Sequence, residues 1–120
     1  MAKKTLIIGA STDPSKYSYL AADRLVSHNY DIELLGIKDG IVAGKEINTE
    51  KVKFEDIDTV TLYVSPQRQS EYFDYVTNLK PRRVIFNPGT ENPAFENYLT
   101  EKSIEPIEAC TLVMLATGQY

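Results

Sequence analysis

The chain has 120 residues, of which 42% are apolar and 25% charged, with a formal net charge of −4. That length suits a single domain with its own core, and the acidic balance excludes a general nucleic-acid binder. A lone cysteine excludes both an internal disulfide and a cysteine-rich zinc site.

Met1-Ala2-Lys3-Lys4 lacks the apolar region of a signal peptide, and no apolar run is long enough to span a bilayer. A cytoplasmic protein without a membrane partner is expected. Leu6-Ile7-Ile8 reads as a strand buried on both faces. Gly9-Ala10 then permits close backbone approach, and Ser11, Thr12, Asp13 and Ser15 are helix-starting residues, with Pro14 suited to a first turn. Strand, small-residue turn and helix start together present backbone N–H groups to an anion. The pattern is not the full G-x-G-x-x-G fingerprint, because Ser11 and Pro14 occupy the later glycine positions.

A first helix is expected from about Pro14 to His28, with Tyr17, Leu20, Ala21, Leu25 and His28 on its packing face. Asn29 supplies a left-handed stop. Asp31 to Ile37 reads as a second strand. Val42 to Asp56 has no sustained period and reads as a long loop with a helical turn near Phe54. Ile57 to Val64 is a third strand, and Ser65-Pro66 opens a helix ending near Leu79. Arg83 to Phe86 is a fourth strand, and Asn92-Pro93 caps a helix that fades by Ser103. Ile104 to Glu108 is a fifth strand, placed at an edge because Pro106 has no N–H. Thr111 to Ala116 reads as a helical tail. The expected fold is an α/β, Rossmann-like, three-layer α/β/α arrangement on a five-stranded parallel sheet, one domain over residues 1–120.

Ligands of open α/β folds bind at the carboxyl ends of the strands. The candidates there are Gly9-Ala10-Ser11, Ile37-Lys38-Asp39, Ser65-Pro66-Gln67-Arg68, Asn87-Pro88-Gly89 and Ala109-Cys110. Lys16, Lys38 and Arg68 provide cations. No paired carboxylate or metal cluster accompanies them.

The series Gly9-Ala10-Ser11-x-x-Pro14-x-Lys16-x-Ser18, then Asn29-Tyr30, Ile41-x-x-Gly44, Ile57-Asp58, Val64-x-Pro66, Gly89 and Cys110 resembles the stand-alone CoA-binding proteins. Their domain is similar to the CoA-binding N-terminal domain of the succinyl-CoA synthetase alpha subunit. The resemblance implies coenzyme A or an acyl-CoA as ligand, with its diphosphate on the Gly9–Ser11 turn and Lys16 beside it. It extends the expected binding set to Thr12, Tyr17, Ser18, Ile37, Lys38, Val64, Ser65, Pro66, Arg68, Asn87, Pro88 and Gly89. Tyr17 also falls on the first helix's packing stripe, and a core role is weighed first for it. Three positions depart from the family pattern. Gly36-Ile37-Lys38 replaces Val-Asn-Pro, Asn87-Pro88-Gly89 lacks a glutamine before its glycine, and Ala109 replaces a basic residue.

His28, the only histidine, is expected to serve packing or the helix dipole rather than catalysis. Cys110 is expected to be inert, Asp13 a helix cap and Asp58 a structural turn residue. Binding without turnover is therefore expected, with no metal and no catalytic residue. Two alternatives stand beside it. One is an NAD(P)-binding module or small oxidoreductase, with Asp39 near where an acidic ribose partner would fall. The other is an interaction subunit serving a separate ligase, so a protein partner or homo-oligomer is compatible with the sequence. Gly9→Val is expected to block backbone approach and abolish nucleotide binding in a folded protein.

Overall fold

In the computed structural model, which describes residues 4–120, the central strand is the apolar run near the start of the chain. β1 (Lys4–Ile8) lies between β2 (Asp31–Leu35) and β5 (Ile57–Leu62), parallel to both. Leu6, Ile7 and Ile8 are fully buried, as a strand covered on both faces requires. β6 (Arg83–Phe86) and β7 (Glu105–Glu108) extend the sheet beyond β5, also in parallel. Pro106 sits in β7 at the sheet edge, where its missing N–H costs no ladder bond.

Among the described residues the sheet has seven strands, in the order β3 (Ile41–Val42), β4 (Lys45–Asn48), β2, β1, β5, β6, β7, not the five expected. The two additional strands come from the stretch read as a loop. β3 and β4 pair antiparallel, and β4 runs parallel to β2. Ala43 and Gly44 join them, both with positive φ, at 51° and 82°. Positive φ at both central residues is the requirement of a tight type I′ hairpin. Strands of two and four residues are too short to display alternation, and alanine at the first turn position conceals the turn.

α1 (Tyr17–Ser27) begins later than expected. Its buried residues are Ser18, Ala21, Ala22 and Leu25, whereas Tyr17 and His28 are exposed. The packing face is thus rotated from the predicted stripe. Asn29 adopts φ 67° directly after the helix, the expected left-handed stop. The predicted second helix is divided. Pro66–Arg68 and Ser70–Tyr72 are 3₁₀ turns, and α2 covers only Phe73–Leu79. α3 (Pro93–Glu101) has Asn92 as its N-cap, accepting the Phe95 N–H at 3.2 Å, and α4 (Thr111–Ala116) forms as expected.

Buried apolar residues form two clusters that alternate along β1. Leu6 and Ile8 join Val76 of α2 and Phe95 and Leu99 of α3. Ile7 joins Ala22 and Leu25 of α1 and Leu115 of α4. Phe73 stacks on Phe95 at 4.2 Å, and Phe86 meets Phe95 edge-on at 5.5 Å, geometries that aromatic quadrupoles favour. The second cluster has a polar end. Buried Arg83 donates to Thr59 Oγ1 at 2.9 Å and to the Tyr120 carbonyl at 3.1 Å, and it lies over the Tyr120 ring. No described helix is long and apolar enough to cross a membrane.

Candidate functional site

The chain leaves β1 toward β2 on one side and later enters β5 on the other. The carboxyl ends of β1 and β5 therefore flank a topological switch point, where crevices open in such sheets. A cleft of about 660 Å³ lies there. Its floor and walls come from four segments. The β1–α1 loop contributes Gly9, Ala10, Ser11, Thr12 and Asp13, and the start of α1 adds Lys16, Tyr17 and Ser18. The segment after β2 contributes Gly36, Ile37 and Lys38. The segment after β5 contributes Tyr63, Val64, Ser65, Arg68 and Tyr72.

Two close approaches hold these loops together. Gly9 has φ 95°, and a Cβ there would lie 2.7 Å from the Tyr63 carbonyl oxygen. A Cβ on Gly36 would lie 2.4 Å from the Ala10 carbonyl oxygen. Both glycines are therefore demanded by neighbouring backbone rather than by a ligand. The expectation that Gly9→Val leaves a folded protein is corrected on this ground.

The amides of the first turn are divided between fold and cleft. Gly9 and Ala10 both donate to the Leu35 carbonyl, at 2.9 and 3.0 Å. Asp13 N–H donates to Ser11 Oγ at 3.1 Å. Asp13 does not cap α1. Its Oδ1 accepts from the backbone and side chain of Ser15, at 2.9 and 2.7 Å, and these bonds hold its carboxyl below the usual carboxylate range. The N-cap of α1 is Lys16, whose side chain caps nothing. Among the described residues the amides of Ser11, Thr12, Tyr17 and Ser18 thus have no hydrogen-bond partner. An uncapped N-terminus with open donors is an anion-seeking feature. Lys16, Lys38 and Arg68 line the same cleft, against one lining carboxylate, Asp13.

The expected site residues fall into two groups. Gly9, Ala10, Ser11, Thr12, Lys16, Tyr17 and Ser18 meet Ile37, Lys38, Val64, Ser65 and Arg68 around the cleft. Tyr17 is 70% exposed at its rim rather than in the core, and Ile37 is 71% exposed. Pro66, Asn87, Pro88 and Gly89 do not line it. Asn87 is buried, and its side chain serves the fold. Nδ2 donates to Thr61 Oγ1 at 2.6 Å and to the Leu62 carbonyl at 2.8 Å, and Oδ1 accepts the Thr111 N–H at 2.9 Å. The turn after β6 is also acidic. Gly89 N–H donates to Glu91 Oε1 at 2.9 Å. Burial and the neighbouring Glu108 and Glu91 carboxylates raise the Glu96 pKa.

Gly36, Tyr63 and Tyr72 also line the cleft, outside the expected binding set. Gly36 carries a readable signal, a glycine directly after the apolar end of β2. Tyr63 is hidden by its place in a strand pattern. Its hydroxyl is buried with no hydrogen-bond partner among the described residues, and burial pushes its pKa up to about 12. Thr61 and Thr111, bonded to each other at 2.8 Å, offset part of that shift. His28 lies away from the cleft, its Nδ1 against the Arg24 carbonyl at 2.8 Å. Asp58 pairs with Arg82 at 3.0 Å. Cys110 is half-buried at the start of α4. Among the described residues no His, Cys, Asp and Glu cluster could hold a metal ion.

A CoA-binding domain model matches residues 3–116. The chain belongs to the CoA-binding domain family. No curated protein matches this domain. Among solved structures, an uncharacterized protein is 51% identical, with a TM-score of 0.97, covering 100% of this chain and 99% of its own. A Thermus thermophilus protein has the same fold at 21% identity and a TM-score of 0.87, covering 99% of this chain and 91% of its own. A hypothetical protein from Pyrococcus horikoshii OT3 also shares the fold, at 23% identity and a TM-score of 0.88, covering 97% of this chain and 83% of its own.

Proposed function

We propose that this CoA-binding domain holds coenzyme A or an acyl-CoA in the cleft at the switch point and performs no chemistry of its own. The observation that carries the reading is the open N-terminus of α1, with the Ser11, Thr12, Tyr17 and Ser18 amides unpartnered beside Lys16. The diphosphate is assigned to these amides. The Gly9 and Ala10 amides are already bonded to Leu35, so the assignment moves off most of the Gly9–Ser11 turn and onto the helix start.

Lys38 follows β2 by three residues and lines the cleft. That strand end faces the ribose of a nucleotide whose phosphates rest on the first turn. A cation there suits the 3′-phosphate of CoA better than the free ribose hydroxyls of NAD. Tyr17 and Ile37, both largely exposed at the rim, gain burial when a ligand lies between them. The sole histidine is remote and bonded elsewhere, which supports binding without turnover. The two buried clusters on alternate faces of β1 support the three-layer reading and a single domain.

A thermal-shift panel of CoA, acetyl-CoA, NAD, NADP and ATP tests this function. A ligand of the native state at 100 times its Kd adds about 2.7 kcal/mol to stability. CoA and acetyl-CoA are expected to raise Tm by several degrees and NAD to leave it unchanged. A shift with NAD that exceeds the shift with CoA contradicts the proposal.

A further inference from the structure

We infer that Lys51 is a positioning residue for the ligand, holding Tyr72 against the cleft from a segment outside it. The inference rests on the CoA reading above. Residues 49–56 have no regular structure, yet they are tied down closely. They leave β4 beside the cleft floor, where the Asn48 carbonyl accepts the Gly36 N–H at 2.9 Å. Two short-range bonds, Val52 N–H to Glu50 O and Phe54 N–H to Val52 O, fold the segment on itself. Phe54 packs on the first apolar cluster, and the Tyr75 hydroxyl donates to the Val52 carbonyl.

Lys51 makes the contact nearest the site. Its Nζ lies 3.1 Å from Glu71 Oε1 and 5.0 Å from the centroid of the Tyr72 ring. Glu71 and Tyr72 belong to the Ser70–Tyr72 turn, close behind the turn that carries Arg68. That turn runs directly into α2, and Tyr72 is itself buried in the first apolar cluster, so the core holds one part of the ring and Lys51 covers another. Tyr72 lines the cleft and Lys51 does not. The ammonium therefore acts on the ligand through the ring and through Glu71. An exposed ion pair of this kind contributes little to stability, so its effect is read in affinity.

Calorimetric titration with CoA tests the inference on the wild type, Lys51→Met, Glu71→Gln and Lys51→Arg. Lys51→Met is expected to weaken CoA about fivefold, the scale of one exposed cation–π contact with its ion pair. Glu71→Gln should act in the same direction, and Lys51→Arg should restore affinity. In a Tyr72→Leu background the loss from Lys51→Met should vanish, since coupled residues are non-additive. An undiminished loss in that background overturns the inference, because Lys51 would then touch the ligand directly. Glu71→Gln leaves both other side chains in place and decides the matter without that background; wild-type affinity in it overturns the inference. Wild-type protein that does not bind CoA fails the functional reading itself, before any substitution is considered.

Discussion

Gly9→Val is expected to unfold the protein at denaturant concentrations the wild type withstands, rather than to yield a folded chain with an empty site. Two costs combine. Gly9 holds φ 95°, a conformation in which a side chain typically costs roughly 1–2 kcal/mol, and more when β-branched. Its Cβ would also lie 2.7 Å from the Tyr63 carbonyl oxygen and 2.9 Å from the carbonyl carbon. Overpacking of this kind costs about 1–3 kcal/mol, and here the obstacle is the backbone of β5's continuation rather than a side chain that can rotate away. The sum is a large fraction of the roughly 5–15 kcal/mol by which domains are stable. Urea unfolding followed by circular dichroism measures it. A variant with an unshifted midpoint and lost CoA binding would restore Gly9 to the ligand.

The second large effect is expected at Asn87. Asn87→Leu conserves volume and removes three buried hydrogen bonds. Thr61 Oγ1 keeps its bond to Thr111 Oγ1 at 2.8 Å. The Leu62 carbonyl and the Thr111 amide lose the Asn87 partner. Leaving two buried polar groups unpaired costs roughly 2–6 kcal/mol at 1–3 kcal/mol each. The damage falls where β5, β6 and the start of α4 meet, away from the cleft. The expected signature is a lower urea midpoint with an unchanged Kd for CoA in the fraction that remains folded. Native stability with weakened CoA binding would instead make Asn87 a ligand contact.

The contrast between these residues shows how much a strand-end rule can see. The rule names every residue just past a parallel strand, because the carboxyl ends share an edge. It finds the loops after β1, β2 and β5, which converge on the switch point. It cannot tell that the loop after β6 is set apart, since that depends on strand order. β6 lies on the far side of β5, and Asn87 turns inward to join three elements. Local polarity reads the same in both cases.

The start of α1 is hidden for a related reason. Ser11, Asp13 and Ser15 carry cap-forming side chains, and their hydrogen bonds are local, closing the loop before α1 begins. The residue that stands at the N-cap, Lys16, offers no acceptor. The absence of a cap is the feature with functional weight, and no residue preference announces it. β1, β5 and β6 are legible because unbroken runs of apolar or β-branched residues, Leu6-Ile7-Ile8, Val60-Thr61-Leu62 and Val84-Ile85-Phe86, need no tertiary context. The β3–β4 hairpin is not, because its strands lack an unbroken apolar run and its turn carries Ala43 where asparagine or glycine would mark it.

The central claim is that the cleft reads CoA through its phosphates, with the diphosphate on α1 and the 3′-phosphate on Lys38. Calorimetry of CoA and dephospho-CoA against the wild type and Lys38→Ala tests it most directly. A charge-assisted phosphate contact is worth roughly 1.5–3 kcal/mol before screening, and about 1.4 kcal/mol is tenfold in affinity. Lys38→Ala is expected to weaken CoA by about tenfold at modest salt and to leave dephospho-CoA almost unchanged. Equal losses for the two ligands, or no measurable binding of CoA to the wild type, would contradict the account.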